Sequence, residues 1–437
     1  MAIDAPVNIS SDRPPTRDDR LRAVGKLALG SILGYGVVVI LTPFLTRLYS
    51  PADLGEFSVI AAVIGILPPL MTLGYPFGQL STRGTSGALR LGVLSLVCAF
   101  FLTLTVLVGL LIWIFFGASI RAAVGTLAAL LCGVLAALTT VGINWAIRRH
   151  NNTVAACSTF ANLGGRGIFQ TAFGFSFGGV GGLLLGEILG RASAWWIVER
   201  GVLRAAIRSM RRRPSALLRT AVTNLNYPLT VTPAVTLENL LIWLPAPIFA
   251  YCFQPEVGGL IVLVQRFASV PLTVANQSLA TMFHREAREM MKSEPRRLHN
   301  SLKLMFAVAV LAFPPLYLLL ASFGAPIAER LFGSAHWADA AFVAATLLPV
   351  YLAQFLCLFT DRILLILDRN LVKLKFLLLN ALLLFLAVIA AKIMGWSWRG
   401  GLELFGLTQA LGFAALFLFS SRILQRETLT AKGCSED

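Results

Sequence analysis

The sequence predicts an all-α polytopic membrane protein with about twelve transmembrane helices in two pseudo-symmetric lobes of six helices. Composition is the first indication, because 57% of the 437 residues are hydrophobic and only 13% are charged, whereas soluble domains are about 25% charged. Apolar stretches of about 20 residues recur along the chain, which is the length needed to cross a hydrocarbon core of ~30 Å. Basic residues are also distributed unevenly between the connecting loops, as the positive-inside rule requires.

The predicted spans are joined by short connections. They cover residues 27–48, 54–80, 91–116, 122–147, 153–176, 180–199, 220–250, 257–282, 301–324, 339–367, 371–394 and 400–421. The longest predicted outer loop is near 324–339, and the longest inner loops cover 200–219 and 284–300. These loops are too short for a catalytic or nucleotide-binding domain, and the G-x-x-x-x-G-K-[ST] phosphate-binding motif is absent from the sequence. We therefore expect neither ATP hydrolysis through a P-loop nor a cofactor.

The formal charge of +16 is explained by the orientation of the chain in the membrane and does not indicate nucleic-acid binding. With the N-terminus in the cytoplasm, 28 of the 37 Lys and Arg residues fall in inside segments, and 4 fall in outside loops and span ends. This asymmetry predicts that both termini are cytoplasmic. The basic loops are expected to contact anionic lipid as a secondary effect.

The chain is predicted to divide into two lobes at its basic central loop. The expected segments are a cytoplasmic polar tail (1–26) before an uncleaved first span, an N-terminal lobe (27–199), a basic cytoplasmic linker (200–219), a C-terminal lobe (220–421) and a cytoplasmic tail (422–437). A short internal repeat supports this division, since YSPADLGEF and FQPEVGGLI align at an offset of 204 residues. The matched pairs are Tyr49 with Phe253, Pro51 with Pro255 and Gly55 with Gly259. Lobes repeated in the same orientation are related by an axis along the membrane normal.

Four arginines lie within the predicted spans: Arg166, Arg191, Arg266 and Arg362. A charge at the bilayer centre costs roughly 2.5–3.5 kcal/mol even on the lenient insertion scale. Such residues usually have a partner or a function, and four cations favour a transporter with an anionic cargo.

Arg166 and Arg191 each have two readings. Arg166 is flanked by glycines, which leaves its side chain room to line a cavity, but it can also pair with Glu187 on another helix. Glu187 and Arg191 are spaced i, i+4 and can pair on one helix face, or Glu187 can take up a proton and free Arg191 for an anion. The stripe Gly182, Gly186 and Gly190 on the same helix predicts close helix packing.

The second half of the chain supplies further candidates. Arg266 precedes Pro271 by five residues, and a proline within a span bends the helix, as is usual near transport cavities. Glu238 lies in a proline-rich span that must be bent or broken, and it is predicted either to bind a coupling ion or to hydrogen-bond a neighbour. Asp361 and Arg362 are adjacent and cannot pair with each other. Asp361 is a coupling candidate, and Arg362 either binds the cargo or snorkels to the surface.

Arg47 ends the first predicted span, and Asp53 and Glu56 follow in the next turn. A salt bridge between them is the simplest expectation, with an external gate as its possible use. The six cysteines and four histidines show no metal-ligand spacing, so no metal site is predicted.

Two segments resemble polysaccharide flippases of the multidrug/oligosaccharidyl-lipid/polysaccharide exporter superfamily, which act on O-antigen and exopolysaccharide precursors. In those proteins the first two spans are joined by a turn of the type R-x-[YL]-[ST]-P-x-[DE]-x-G-x-[FY]. The matching residues here are Arg47, Ser50, Pro51, Asp53, Gly55 and Phe57. GLIVLVQRFASVPLTVANQSLATMF is similar to the family's eighth span through Arg266 and Pro271. The resemblance covers residues 27–83 and 258–286.

The resemblance implies a flippase for undecaprenyl-diphosphate-linked oligosaccharides in a bacterial inner membrane. It implies two lobes around a cationic central cavity that opens to each side in turn, with Arg266 and Arg47 contacting the lipid-linked sugar. The partners expected on this basis are the lipid substrate, the bilayer and the glycan polymerase or export machinery.

Two other functions are weighed against this one. A multidrug antiporter of the same superfamily is the closest alternative, but the predicted spans one to five contain no Asp or Glu beyond the first external turn. A membrane polysaccharide polymerase or ligase would be an enzyme with a substantial external catalytic loop, which the sequence does not offer. The sequence thus predicts a flippase rather than an enzyme.

Overall fold

Long helices account for most of the chain. The computed structural model describes residues 17–82, 84–117, 119–198, 214–274, 295–333, 335–366 and 370–433. The helices within these ranges are α1 (Arg17–Leu48), α2 (Pro51–Thr72), α3 (Tyr75–Ser81), α4 (Thr85–Phe115), α5 (Ile120–Arg148), α6 (Asn152–Ser176), α7 (Gly179–Ile197), α8 (Pro214–Thr223), α9 (Thr232–Trp243), α10 (Pro245–Cys252), α11 (Pro255–Val274), α12 (Pro295–Phe332), α13 (Ala340–Ile366), α14 (Asn370–Ile393) and α15 (Trp398–Gly433). A π-helical turn, Tyr227–Val231, leads directly into α9, and a 3₁₀ turn, Ala335–Trp337, precedes α13. The protein is therefore all-α, as the sequence predicts.

Local signals in the sequence determine several helix ends. Ser50 caps α2 in a reciprocal capping box with Asp53, and Pro51 occupies the first helical turn, where its missing N–H costs nothing. Gly333 ends α12 at φ +82° and Gly395 ends α14 at φ +67°. After α14 the backbone N–H groups of Gly395 and Trp396 bond back to Lys392 and Ala391, which is the pattern of a Schellman motif.

Each of the twelve predicted spans corresponds to a helix or a broken helix. The helices extend further than the spans at both ends of the chain, because α1 begins at Arg17 and α15 continues to Gly433. The short helix α8 begins within the predicted linker, of which residues 200–213 lie outside the described part. The length of an apolar stretch defines only the part of a helix that lies in lipid. Polar residues with good helix propensity continue the helix beyond that part.

Eight of the described helices are long and apolar enough to cross a membrane, or nine if the bent pair 227–243 and 245–252 forms one span. The predicted spans that are not among these are those of α6, α7 and α11, and the last of them, 257–282, is described only to residue 274. These are the helices that carry Arg166, Arg191 and Arg266. The chain is a multi-pass membrane protein, and these arginine-bearing helices meet at one place, described below.

The seventh predicted span is broken, as its prolines require. A π turn containing Pro228 leads into α9, and α9 meets α10 at an angle of 47° just before Pro245. Proline removes a backbone donor and crowds the preceding turn, so each break occurs where the ring cannot be accommodated.

The two copies of the internal repeat contact each other in the structure. Helices α1 to α7, called the first half here, pack mainly on one another, and helices α9 to α15, the second half, do the same. The halves join chiefly where α2 crosses α11. There a Cβ on Gly55 would overlap the carbonyl of Pro255, and a Cβ on Gly259 would overlap the carbonyl of Pro51. This reciprocal contact is what a pseudo-two-fold axis between α2 and α11 produces.

Candidate functional site

Close packing of α6 on α7 prepares the site. A Cβ on Gly186 would lie 2.5 Å from the backbone nitrogen of Gln170, and a Cβ on Gly190 would lie 2.6 Å from that of Arg166. Only glycine allows the two backbones to approach this closely, so the predicted packing role of the stripe is confirmed. Gly182 completes the stripe against Tyr49 and the Phe173 carbonyl. The approach brings Glu187 of α7 directly opposite α6.

Glu187 holds two arginines. Its Oε1 accepts from Nη1 of Arg166 at 3.1 Å and from Nη2 of Arg191 at 2.8 Å. Nε of Arg191 also donates to the same oxygen at 3.0 Å. The side chains are only 8% (Glu187), 21% (Arg166) and 11% (Arg191) exposed. Both predicted pairings of Glu187 therefore form, and they form simultaneously.

Gln170 extends this cluster to Arg266. The side-chain nitrogen of Gln170 lies 3.4 Å from Oε2 of Glu187 and 3.4 Å from the Leu183 carbonyl, while its side-chain oxygen accepts from Nη2 of Arg266 at 3.0 Å. The sequence analysis missed Gln170. A usable signal was present, because Gln170 lies four residues after Arg166 on the same helix face.

The hydroxyl of Tyr49 closes the network from the turn between α1 and α2. It donates to the backbone carbonyl of Gln170 at 2.8 Å. Burial, together with the nearby carboxylate of Asp53, raises the pKa of Tyr49 to about 12. The phenol therefore remains a hydrogen-bond donor at physiological pH.

The cluster faces a cavity of about 170 Å³ between the two halves. Its lining comes from α1, α2, α6 and α7 of the first half and from α9, α10 and α11 of the second. Among the described residues that line it, those with charged side chains are Arg166, Glu187, Arg191 and Arg266. Three guanidinium groups against one carboxylate leave an excess of two positive charges. Arg166 and Arg191 thus line the cavity and also pair with Glu187, so the two readings of Arg166 hold together.

Much of the remaining cavity lining is apolar. It includes Phe57 and Ile64 of α2 and Ile242 and Trp243 of α9. An interior that combines guanidinium groups with apolar side chains is suited to an amphiphilic anion, because the charged end can be held while the apolar part stays out of water.

Arg47 lies elsewhere. It is exposed at the end of α1 and packs against Gly333, whose Cβ would lie 2.9 Å from the Arg47 Nε. The predicted salt bridge from Arg47 to Asp53 or Glu56 is wrong, because Asp53 is occupied in the capping box with Ser50. Nearby, the indole of Trp337 donates to the Thr46 carbonyl at 3.0 Å, so the end of α1 contacts the turn between α12 and α13.

Glu238 pairs with a cation of its own half. Nζ of Lys373 lies 3.1 Å from Oε2 of Glu238, joining α14 to α9. The pair lines a second cavity of about 160 Å³ together with Gln354 and Cys357. Ile242 separates this cavity from the central one, since it lines both. Of the two readings given for Glu238, the bond to a neighbour is formed.

The side chains of Asp361 and Arg362 lie outside the described part of the chain, although the backbone of both belongs to α13. The predictions made for these two residues stay predictions.

Comparison with known proteins identifies the fold. No protein-family profile matches the sequence, and no curated protein sequence matches it. Solved structures do match over nearly the whole chain.

Three of these structures illustrate the match. The inward-facing conformation of a multidrug resistance MATE family transporter of the MOP superfamily superimposes with a TM-score of 0.60 at 12% identity, covering 94% of this chain and 99% of that one. A mutant of the Vibrio cholerae MATE transporter VcmN gives 0.59 at 15%, covering 94% and 97%. A MOP superfamily transporter from Pyrococcus furiosus, for which reverse polarity of the binding pocket suggests a different function, gives 0.58 at 13%, covering 95% and 99%.

The fold is therefore that of MATE family transporters of the MOP superfamily. The expected superfamily fold is confirmed, and the closer resemblance to polysaccharide flippases stays a prediction.

Proposed function

We propose that this protein is an alternating-access flippase that moves an amphiphilic anion with a diphosphate head group between the two leaflets. The observation that carries the proposal is the cluster of three arginines and one glutamate facing a cavity between the halves. Planar guanidinium groups bind phosphate oxygens in pairs, and they do so more strongly in a site shielded from water. An excess of positive charge there attracts an anion and repels a cation.

The apolar part of the lining supports a lipid-linked cargo rather than a soluble anion. Phe57, Ile64 and Trp243 line the same cavity as the guanidinium groups. A diphosphate head can cross between the halves on the arginines while its prenyl tail stays in the surrounding lipid. Dragging the same head group through hydrocarbon without such partners costs many kcal/mol, because an isolated charge loses its hydration.

The structural neighbours support the alternating-access part of the proposal. The matching structures include an inward-facing and an outward-facing conformation of a multidrug resistance MATE family transporter. The Pyrococcus furiosus transporter, whose reverse pocket polarity suggests a different function, supports the view that pocket polarity differs between proteins of this fold. The charge of the cavity, more than the fold, then suggests the cargo.

The specific substrate we propose is an undecaprenyl-diphosphate-linked oligosaccharide repeat unit, moved from the inner to the outer leaflet of a bacterial inner membrane with both termini cytoplasmic. Glycan polymerase and export machinery would take over the product. Coupling to an ion is proposed for Glu187, Glu238 and Asp361. For Glu187 and Glu238 it requires that each release a cationic side chain, since they hold Arg166, Arg191 and Lys373.

A multidrug antiporter is the second candidate, and the neighbours favour it, because the matching structures include multidrug resistance transporters. Its cargo would need to be neutral or anionic to enter a cavity with excess positive charge. Drug susceptibility of a deletion strain separates the two. Hypersensitivity with normal surface polysaccharide supports the antiporter, and unchanged susceptibility with lost polysaccharide supports the flippase.

A polymerase or ligase is the enzymatic candidate. It predicts that deletion leaves unpolymerised lipid-linked units on the outer leaflet, whereas loss of a flippase leaves them on the cytoplasmic leaflet. Leaflet-specific labelling of the accumulated lipid in a deletion strain distinguishes these outcomes.

The direct test replaces the arginines that the proposal depends on. We expect Arg266→Ala and Arg166→Ala each to abolish translocation while the protein still reaches the membrane. Arg399→Ala is the matched control. Arg399 is paired with Asp339 at 2.7 Å at the surface, and its side chain is 56% exposed. Full complementation by both cavity variants would overturn the proposed role of the cluster.

A further inference from the structure

Gln170 joins the two halves at the cavity through its side-chain amide. It is 2% exposed and lies at the centre of the polar network. Its nitrogen faces Glu187 of the first half, and its oxygen accepts from Arg266 of the second half at 3.0 Å. One side-chain amide thus ties the Glu187 cluster to the arginine that enters from the other half.

The charge of its donor distinguishes this tie from the other polar contacts between the halves. Trp337 donates to the Thr46 carbonyl at the end of α1, and Ser81 lies 3.0 Å from the Tyr227 hydroxyl at the end of α3. The side-chain amide of Asn239 in α9 donates to the carbonyl of Gly65 in α2 at 3.1 Å, and Gly65 also lines the cavity. Of these contacts, the bond from Arg266 to Gln170 is the one made by a charged side chain that lines the cavity.

The two partners in this bond are unequal in charge. Arg266 donates to a neutral amide oxygen, whereas Glu187 holds the other two arginines with a full negative charge. Arg166 and Arg191 are each held by the attraction of an opposite charge in addition to hydrogen bonds, whereas a neutral amide supplies Arg266 with a hydrogen bond alone. An entering phosphate would therefore displace Gln170 from Arg266 more readily than it would displace Glu187 from Arg166 or Arg191.

We propose that Gln170 is a substrate-sensitive latch: its side-chain amide holds Arg266 and the second half closed on the empty site, and an anionic head group releases the latch by taking Arg266. This inference rests on the proposed function. Gln170 is a positioning residue in this scheme, because it acts through Arg266.

The latch makes movement depend on cargo. A ligand shifts a conformational equilibrium only by its difference in affinity for the two states. The state in which Arg266 is free of Gln170 binds phosphate better, so the cargo itself selects it. Without cargo the amide keeps the halves together and limits idle cycling.

The test uses the purified full-length chain with inorganic pyrophosphate as the probe. Spin labels at Phe177→Cys in the first half and Met394→Cys in the second, in a background whose native cysteines are replaced, report the distance between the halves. Both positions are exposed, in or beside turns between helices. Pyrophosphate affinity is measured on the same preparations by calorimetry.

Two substitutions at the latch have opposite expected effects. Gln170→Met keeps the size of the side chain and removes the amide. We expect it to show, without ligand, the distance distribution that pyrophosphate produces in the unsubstituted chain, and to bind pyrophosphate roughly tenfold more tightly, the factor that one hydrogen bond to a charged group provides. Gln170→Glu places a carboxylate opposite Arg266, so we expect it to keep the ligand-free distances and bind roughly tenfold more weakly.

Gln265→Met is the matched control. Gln265 lines the same cavity, but its amide donates to the Ile242 carbonyl at 2.8 Å, which lies within its own half. We expect no change in the distance between the halves. Thermal unfolding of every variant shows whether a binding change reflects loss of the fold.

The outcomes separate the latch from the proposed function. If a folded Gln170→Met variant binds pyrophosphate and keeps its distances like the unsubstituted chain, the latch is overturned and the proposed function stands. If pyrophosphate does not bind the unsubstituted chain, the diphosphate cargo is overturned. The ligand-free distances of Gln170→Met against Gln265→Met then decide the latch, with a difference supporting it and identity overturning it.

Discussion

The arginines described in the central cavity have two kinds of immediate partner. Arg166 and Arg191 bind the same carboxylate oxygen of Glu187, whereas Arg266 binds the neutral amide of Gln170. Three cations in one buried place would repel one another strongly without the carboxylate. Glu187 is therefore as important to the site as the arginines, because it holds two of them in place without neutralising the cluster.

Substitution of Glu187 tests this role. We expect Glu187→Gln to lower the free energy of unfolding by about 3–5 kcal/mol, since removing one partner of a buried ion pair leaves uncompensated charge. Denaturant titration of the detergent-solubilised protein measures the loss. Added pyrophosphate should restore part of it by binding the freed arginines.

The pair of Glu238 with Lys373 provides the control. The Glu238 side chain is 38% exposed, and exposed ion pairs contribute about 0–1 kcal/mol. Glu238→Gln should therefore cost no more than about 1 kcal/mol. Equal costs at the two glutamates would contradict the proposed importance of Glu187.

At the scale of the element, the glycine stripe of α7 is the feature that assembles the site. Gly186 and Gly190 face the backbone of α6 at Gln170 and Arg166, which are two residues of the polar network. Any side chain there would push α7 away from α6 and carry Glu187 out of reach of Arg166. Packing and function therefore depend on the same positions.

Gly186→Ala should show this dependence. Its new Cβ would lie 2.5 Å from the Gln170 nitrogen, and overpacking of this kind costs about 1–3 kcal/mol. We expect lower thermal stability and weaker pyrophosphate binding in calorimetry.

Gly181→Ala on the same helix is the matched comparison, because nothing lies within 4 Å of its Cβ position. It should be neutral or stabilising by up to about 1 kcal/mol through helix propensity. A similar loss of stability in both variants would mean that backbone freedom, and not the approach of α6, explains the effect.

At the scale of the whole molecule, the two halves meet through a matched pair of contacts. Gly55 lies against Pro255, and Gly259 lies against Pro51. These are four of the six residues in the internal repeat. The repeat is therefore more than a trace of duplication, because its small and rigid residues form the crossing of α2 and α11.

The symmetry of the crossing makes a specific prediction. Gly55→Ala and Gly259→Ala should lower thermal stability by similar amounts, about 1–3 kcal/mol each, because each forces a Cβ onto the opposite backbone. Both should also alter the distance between the spin labels described above. Gly36→Ala in α1 is the control, since nothing lies within 4 Å of its Cβ position. A large effect at only one of the two crossing glycines would contradict equivalent contacts.

Local information was sufficient for most of the fold. Apolar length predicted a helix for every span, and the prolines around Glu238 predicted the break between α9 and α10. The spacing of Glu187 and Arg191 predicted their pairing, because four residues make one helical turn. These features depend on residues close together in the chain, so sequence patterns contain them.

Tertiary structure decided which residues share the site. Arg166, Glu187 and Arg266 are far apart in sequence, and only the packing of α6, α7 and α11 brings them to one cavity. The same packing gave Gln170 its central position, left Arg47 at the surface and paired Glu238 with Lys373. The sequence by itself determined that charges are placed within lipid, because that follows from composition along each span. Which of them face one another was decided by the tertiary structure, since contacts between helices depend on how the whole bundle packs.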